Sequence, residues 1–166
     1  MEMVRVKLEG LALDMTTNTP VVILSPEEDD KVLPIWIGHA EAWAIAMELS
    51  GMTSKRPLTH DLMKQAIEVL EAKITRVEIT ELKDQTFYAV VHLTRNGDFR
   101  RLDARPSDSI ALALKTGCPI FVNAQLFEPR PRGEQDQEMP PMPTDRESLR
   151  ERLKKINPED FGKYSL

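Results

Sequence analysis

Polar and apolar positions alternate from the start of the chain. Val4, Val6 and Leu8 share one side and Arg5, Lys7 and Glu9 the other, the period-two pattern of a half-buried strand. At Gly10 the phase slips to Leu11, Leu13 and Met15, which predicts a β-bulge in a continuing strand. Asp14–Pro20 (D-M-T-T-N-T-P) is turn chemistry. Val21–Leu24 is a short apolar run, Ser25–Asp30 a polar acidic loop, and Lys31–Ile37 a third strand in which Pro34 marks an edge or a strand end.

The period then changes to that of a helix. Ala40, Trp43, Ala44 and Met47 recur at helical spacing between His39 and Leu49, and Gly51 closes the segment. A second helix is predicted from Leu58 or Thr59 to Leu70, with Thr59 as N-cap and an apolar stripe of Leu62, Met63, Ala66, Ile67 and Leu70. Strands return over Ile74–Leu82 and Thr86–Thr94, where Phe87, Ala89, Val91 and Leu93 alternate with Tyr88, Val90 and His92. Asn96-Gly97 is a strong hairpin signal leading into Phe99–Ala104. A third helix follows Pro106, with Ser107 as cap, Ile110, Ala111 and Leu114 inward, and Gly117 at its end. Pro119–Val122 reads as one more short buried strand.

The order β-β-β-α-α-β-β-β-α-β predicts an α+β fold with a mainly antiparallel sheet, built from two β-meanders with helices packed against it. We place the domain at 1–127, a proline-rich linker at 128–143 and a helical appendage at 144–166. In the appendage Thr144 and Glu147 make a capping-box start for a basic helix carrying Leu149, Leu153 and Ile156, which Asn157-Pro158 would end. That helix would dock on its own domain or on a neighbouring subunit. The echo between Arg56-Pro57-Leu58-Thr59-His60-Asp61 and Arg105-Pro106-Ser107-Asp108 is too short to establish an internal repeat.

Composition narrows the classes. The chain has 166 residues and no apolar run long enough for a membrane-spanning helix, and its start lacks the apolar core of a secretory signal. One cysteine, Cys118, excludes an internal disulfide and a multi-cysteine zinc site, and a reducing cytoplasm is the expected compartment. The net charge of -5 argues against a broad phosphate-binding surface but permits a local basic patch.

No P-loop, G-x-G-x-x-G, G-x-S-x-G or H-E-x-x-H motif is present. His39-Ala40-Glu41 matches the opening of zinc deaminases, but the P-C-x-x-C they require is missing. What remains is polar residues at three helix entrances: His39 and Glu41; Arg56, Thr59, His60 and Asp61; and Asp103, Arg105, Ser107 and Asp108. Helix N-termini favour anions, arginine binds phosphate bidentately, and histidine serves as acid or base near neutral pH. Converging, these entrances would make a nuclease-like site. The plainer reading is that acids in a first helical turn answer the helix dipole, and that Arg56 and Arg105 pair with them or cap strand ends. His92 is expected to pack beside Tyr88, His39 to lie on the surface, and Trp36 and Trp43 to serve the core or an interface.

Several blocks together resemble the bifunctional nuclease domain family of bacteria and plants. They are Leu33–Ala42 (L-P-I-W-I-G-H-A-E-A), Arg56–Met63 (R-P-L-T-H-D-L-M), Val77–Tyr88 (V-E-I-T-E-L-K-D-Q-T-F-Y) and Arg105–Leu114 (R-P-S-D-S-I-A-L-A-L) with Thr116-Gly117-Cys118-Pro119-Ile120. The ending Pro158-Glu159-Asp160-Phe161 also fits. The resemblance implies an α+β fold, self-association with a dimer favoured, and cleavage of both DNA and RNA. Positions carried over from the family blocks are Glu41, His60, Asp61 and Asp108 as catalytic residues and Arg56 and Arg105 as substrate-binding residues. A divalent metal, magnesium or manganese, would assist, with Glu41, Asp61 and Asp108 binding it or orienting a water. The alternative is a non-enzymatic regulatory or interaction module acting as an oligomer.

Overall fold

The structure is a computed structural model and describes residues 1–128, 143 and 145–156. The first meander is β1 (Met3–Asp14), β2 (Thr19–Pro26) and β3 (Leu33–Trp36), followed by helices α1 (His39–Ser50) and α2 (Thr59–Val69). The second is β4 (Lys73–Lys83), β5 (Thr86–Arg95) and β6 (Asp98–Ala104), followed by α3 (Pro106–Thr116), β7 (Ile120–Asn123) and a 3-10 turn at Ala124–Phe127. Helix α4 (Arg146–Arg152) and strand β8 (Leu153–Lys155) complete the described chain.

The strands form one sheet in the order β3-β2-β1-β7-β4-β5-β6. Each meander runs outward from β7, which pairs antiparallel with β1 and parallel with β4; every other pairing is antiparallel. The predicted bulge is present. The β1–β2 register shifts between Leu8 and Gly10, where φ at Gly10 is 153°, a region that side chains disfavour. Asn96 and Gly97 both take positive φ, as the tight β5–β6 hairpin requires. Pro34 sits on the edge strand β3, where its missing N–H costs nothing.

One apolar core lies between sheet and helices. Ile79, Val77, Val91, Val22 and Leu24 meet Ile45, Ala42, Ile110 and Leu112 there. Helix α3 packs on β4 and β5, and α1 on β2 and α3. Alternation in β5 is as expected, with Ala89, Val91 and Leu93 buried. On the opposite side of β5, His92 pairs with Glu78 at 2.7 Å, not with Tyr88, because Glu78 on β4 lies within reach across the strands.

Four expectations are corrected. In α1 the buried residues are Ala42, Ile45, Ala46 and Met47; Ala40 is exposed and Trp43 and Ala44 half-buried. This helix is apolar on most sides, so its periodicity carries no sharp phase. In α2 the stripe faces outward. Leu62, Met63, Ala66 and Leu70 are exposed, Ile67 is half-buried, and the buried residue of the helix is His60. Asp14 ends β1 as a fully buried carboxylate beside the turn. The last helix stops at Arg152, and Leu153 opens a strand on β1 in place of a further turn.

The segment 145–156 is fastened to the sheet by side chains as well as by β8. Arg146 donates to both carboxylate oxygens of Glu9, at 2.9 and 2.7 Å, and Arg152 reaches Asp14. Asp145 caps α4 by accepting from Ser148 N at 2.8 Å, and Leu149 is buried. Glu128 accepts from Lys31 Nζ and Arg146 donates to Asp30 O, so the two flanks of the expected linker rest on adjoining residues. Apart from its two ends that linker lies outside the described residues, as do Thr144 and the stop at Asn157-Pro158.

Candidate active site

Three helices begin near one another, and each contributes a polar residue from its first turn. In α1 the residue before the helix is Gly38, in extended conformation, and Glu41 is the third helical residue. Its carboxylate lies against Gly38, in the space a β-carbon there would take. In α2 the N-cap position is Leu58, not Thr59. The Asp61 side chain accepts from Leu58 N at 2.9 Å, satisfying one of the free N–H groups of the helix end. In α3 the N-cap position is Arg105, not Ser107, because Pro106 fits the first helical position and needs no N–H partner. Ser107 is buried instead, and Ser109 Oγ donates to the Arg105 carbonyl at 2.9 Å.

Four of the predicted residues form one hydrogen-bonded line. Arg105 donates from Nη2 to Glu41 Oε1 at 2.8 Å and from Nε to Asp108 Oδ2 at 2.7 Å. Asp108 Oδ1 lies 2.9 Å from His60 Nε2. Burial alone would raise the Asp108 carboxyl, but hydrogen bonds from Arg105 and then His60 outweigh it and hold it below the usual range. Asp108 is therefore ionised at neutral pH and can only accept, so Nε2 of His60 carries the proton. In the neutral imidazole the accepting nitrogen is then Nδ1. The Arg105 guanidinium is pushed up in turn, first by Asp108 and then by Glu41.

Asp61 joins a second cluster. Lys115 Nζ, in the last turn of α3, donates to Asp61 Oδ1 and to Glu48 Oε1, each at 2.6 Å. Burial would lower the Lys115 ammonium, but these two carboxylates raise it. Asp61 falls below its ordinary value: burial opposes the shift, and Lys115 and the Leu58 N–H overcome it. Lys115 therefore ties α3 to the end of α1 and the start of α2, which fixes His60 opposite Asp108.

A cleft of about 440 Å³ opens beside these helices, lined by Lys55, Arg56, His60, Asp61, Lys64 and Lys115 among others. Lys115 is neutralised by its two carboxylates, and Lys64 lies 3.8 Å from Glu68. Lys55 and Arg56 have no side-chain ion pair or hydrogen bond among the described residues, so they supply the free positive charge of the cleft. The structure thus brings Glu41, His60, Arg105 and Asp108 into one line and places Arg56 and Asp61 on the adjoining cleft. His39 is exposed, as expected.

Lys115, Glu48 and Lys55 were not legible as site residues. Lys115 sits in a last helical turn, where a cation is ordinary, and only the packing of α3 on α1 and α2 gives it two partners.

The arrangement defines an α+β domain whose helix entrances carry an ion-paired histidine beside a cationic cleft. The chain belongs to the bifunctional nuclease domain family, whose model matches residues 22–131. It is 38% identical over 164 residues to an uncharacterized protein of Mycobacterium tuberculosis, covering 94% of this chain and 96% of that protein. It is 25% identical over 116 residues to bifunctional nuclease 1 of Oryza sativa, covering 68% of this chain and 35% of the rice protein. Bifunctional nuclease 1 of Arabidopsis thaliana is 23% identical over 111 residues, which is 64% of this chain and 34% of the plant protein. No helix of the described residues is long and apolar enough to cross a membrane.

Proposed function

We propose that this chain hydrolyses phosphodiester bonds of DNA and RNA at the cleft beside His60. The observation that carries this reading is the line Glu41–Arg105–Asp108–His60, which ends at a cleft holding the unpaired Lys55 and Arg56. Membership of the bifunctional nuclease domain family supports the reaction class.

In this reading Lys55 and Arg56 hold the phosphate, while Arg105, paired with Glu41 and Asp108, holds Asp108 against His60. Asp108 keeps His60 in the tautomer whose Nδ1 accepts. As water attacks phosphorus, its proton passes to Nδ1, the new P–O bond forms and the bond to the leaving oxygen breaks. The imidazolium then returns its proton to that oxygen. Lys115 and Asp61 position α2 and do not touch the substrate.

The expected divalent ion fits these residues poorly. Both Asp108 oxygens and Glu41 Oε1 already accept from Arg105, and Asp61 is bound by Lys115 and Leu58 N. Among the described residues no group of three or more His, Cys, Asp or Glu side chains converges to hold a metal. Magnesium or manganese would have to take a carboxylate away from a guanidinium or an ammonium, so no step is assigned to it.

The same saturation favours a rival reading, in which the ion pairs merely clamp three helix ends in a regulatory module. Binding of a labelled single-stranded oligonucleotide across a salt series separates the two. We expect the combined variant Lys55→Ala, Arg56→Ala to bind at least tenfold more weakly at low salt. The slope of log K against log salt should become shallower by about 1.4, since each phosphate contact contributes about 0.7 on a single strand. Unchanged affinity and slope would remove Lys55 and Arg56 from the substrate path and favour the clamp.

A further inference from the structure

The cleft beside His60 has an apolar wall that the proposed step leaves unused. Gly51 closes α1 in a left-handed conformation, with φ at 68°, and turns the chain so that Met52 N donates to the Met47 carbonyl at 3.0 Å. Met47 and Met52 line the cleft together with Ala44 and Leu58. Met47 is buried yet stands outside the main core, and Met52 is 40% exposed. The same loop carries Lys55 and Arg56 before Leu58 opens α2, so thioethers and free cations face one space.

We propose that this wall is a base subsite: it seats the base of the nucleotide whose phosphate lies on Lys55 and Arg56, and it takes any base. Thioethers pack favourably against aromatic rings and adapt to rings of different size. The acids on the walls do not repel the strand, because Lys115 holds Glu48 and Asp61, and Glu68 faces Lys64. Phosphate is therefore drawn to the Lys55–Arg56 side and the base is left to the methionines.

Size and polarity agree. A cleft of about 440 Å³ lies in the range of sites that enclose a small ligand, and it holds one nucleotide but no duplex. A base seated there has left its pair and its stack. Among the neutral polar side chains on the walls, Ser54 Oγ donates to the Arg56 carbonyl, and Thr53 and Gln65 are exposed, where water competes for them. An apolar wall without buried donors and acceptors discriminates weakly between ligands of similar shape. That suits an enzyme acting on many sequences.

The inference rests on the phosphate placement proposed above, so its test reads binding and is set beside cleavage. The 3′,5′-bisphosphates of thymidine and deoxyadenosine carry a phosphate on either side of one base. They are titrated calorimetrically into the full chain, beside the bisphosphate of the abasic tetrahydrofuran sugar. The two nucleotides should bind within about fivefold of each other and at least tenfold more tightly than the abasic compound. Met52→Ala should remove most of that difference and leave the abasic affinity unchanged, whereas Lys55→Ala, Arg56→Ala should weaken all three. The nucleotides should also displace a labelled single-stranded oligonucleotide. Equal binding with and without a base, no binding at all, or a Met52 variant that binds as wild type does would overturn the base subsite, even where His60-dependent cleavage stands. Binding that does not displace the oligonucleotide would overturn it by assigning the cleft to a free nucleotide. Base-dependent, Met52-dependent binding without any cleavage would uphold the subsite and overturn the reaction.

Discussion

Replacing Arg152 by alanine is expected to lower the unfolding free energy by about 3 kcal/mol and to release the C-terminal segment from β1. Asp14 is fully buried. Arg152 donates to it from Nη2 at 3.0 Å and from Nε at 3.3 Å, and its guanidinium lies 5.4 Å from the centre of the Trp36 ring. Among the described residues, truncation leaves a carboxylate in the interior with only Trp36 Nε1, at 2.7 Å, and Thr16 N, at 2.9 Å, to stabilise it. Burial would raise the Asp14 carboxyl, but the hydrogen bonds from Arg152, Trp36 and Thr16 N win and lower it to about 2.

A folded-state value below the unfolded one means stability that is present above the ordinary carboxylate range and lost as pH falls towards 2. For this shift the loss is about 2 kcal/mol. Wild type should therefore weaken between about pH 4 and pH 2, whereas Arg152→Ala should already be weak at neutral pH. Urea denaturation across that range, with limited proteolysis of the C-terminal segment, measures both effects. A neutral-pH loss below about 0.5 kcal/mol would show that the pair does not hold the segment.

Replacing Asp108 by asparagine should reduce phosphodiester cleavage by about 100-fold or more while leaving the fold in place. Asparagine fills the same space but brings one accepting oxygen where Arg105 and His60 together use two. His60 then loses the charge that fixes its tautomer, and it competes with Arg105 for the one accepting oxygen that remains. Because Asp108 does not touch the substrate in this account, the loss should fall on kcat and leave KM within a few-fold. The pH–rate profile should also lose its histidine limb or shift it. A rate within twofold of wild type would exclude Asp108 from positioning the base.

Most of the fold was legible because the signals were local. Alternation in β5 and in β1 up to Glu9, the slip at Gly10 and the Asn96-Gly97 turn each depend on a few neighbouring residues, and each is found where expected, whereas beyond the slip Ala12 and Asp14 are buried and Met15 is exposed, against the expected phase. The faces of α1 and α2 were not legible, for opposite reasons. The first is apolar on most sides and so has no phase, and the second carries a clear stripe that points away from the core. The end of the chain failed because β1 offers an edge at Ala12–Asp14 that captures Leu153–Lys155 as a strand, a long-range event that helix periodicity cannot anticipate.

The candidate site was legible in its residue types. Acids and arginines at helix entrances, with His60 among them, could be read from the chain, and four of them meet. Their pairing could not be read, and it changes the chemistry: carboxylates drawn as metal ligands are held by Arg105 and Lys115. Lys55 was passed over because the sequence does not show that it lacks an acid partner.

The most direct measurement is cleavage of labelled single- and double-stranded DNA and RNA by wild type and His60→Ala purified identically, each with Mg²⁺, with Mn²⁺ and with EDTA. The account predicts cleavage by wild type that persists in EDTA and falls at least 100-fold in His60→Ala. Equal cleavage by the two proteins, or none by folded wild type under any condition, would contradict a nuclease at this site. Cleavage that depends on His60 and vanishes in EDTA would keep the site and contradict the metal-free step.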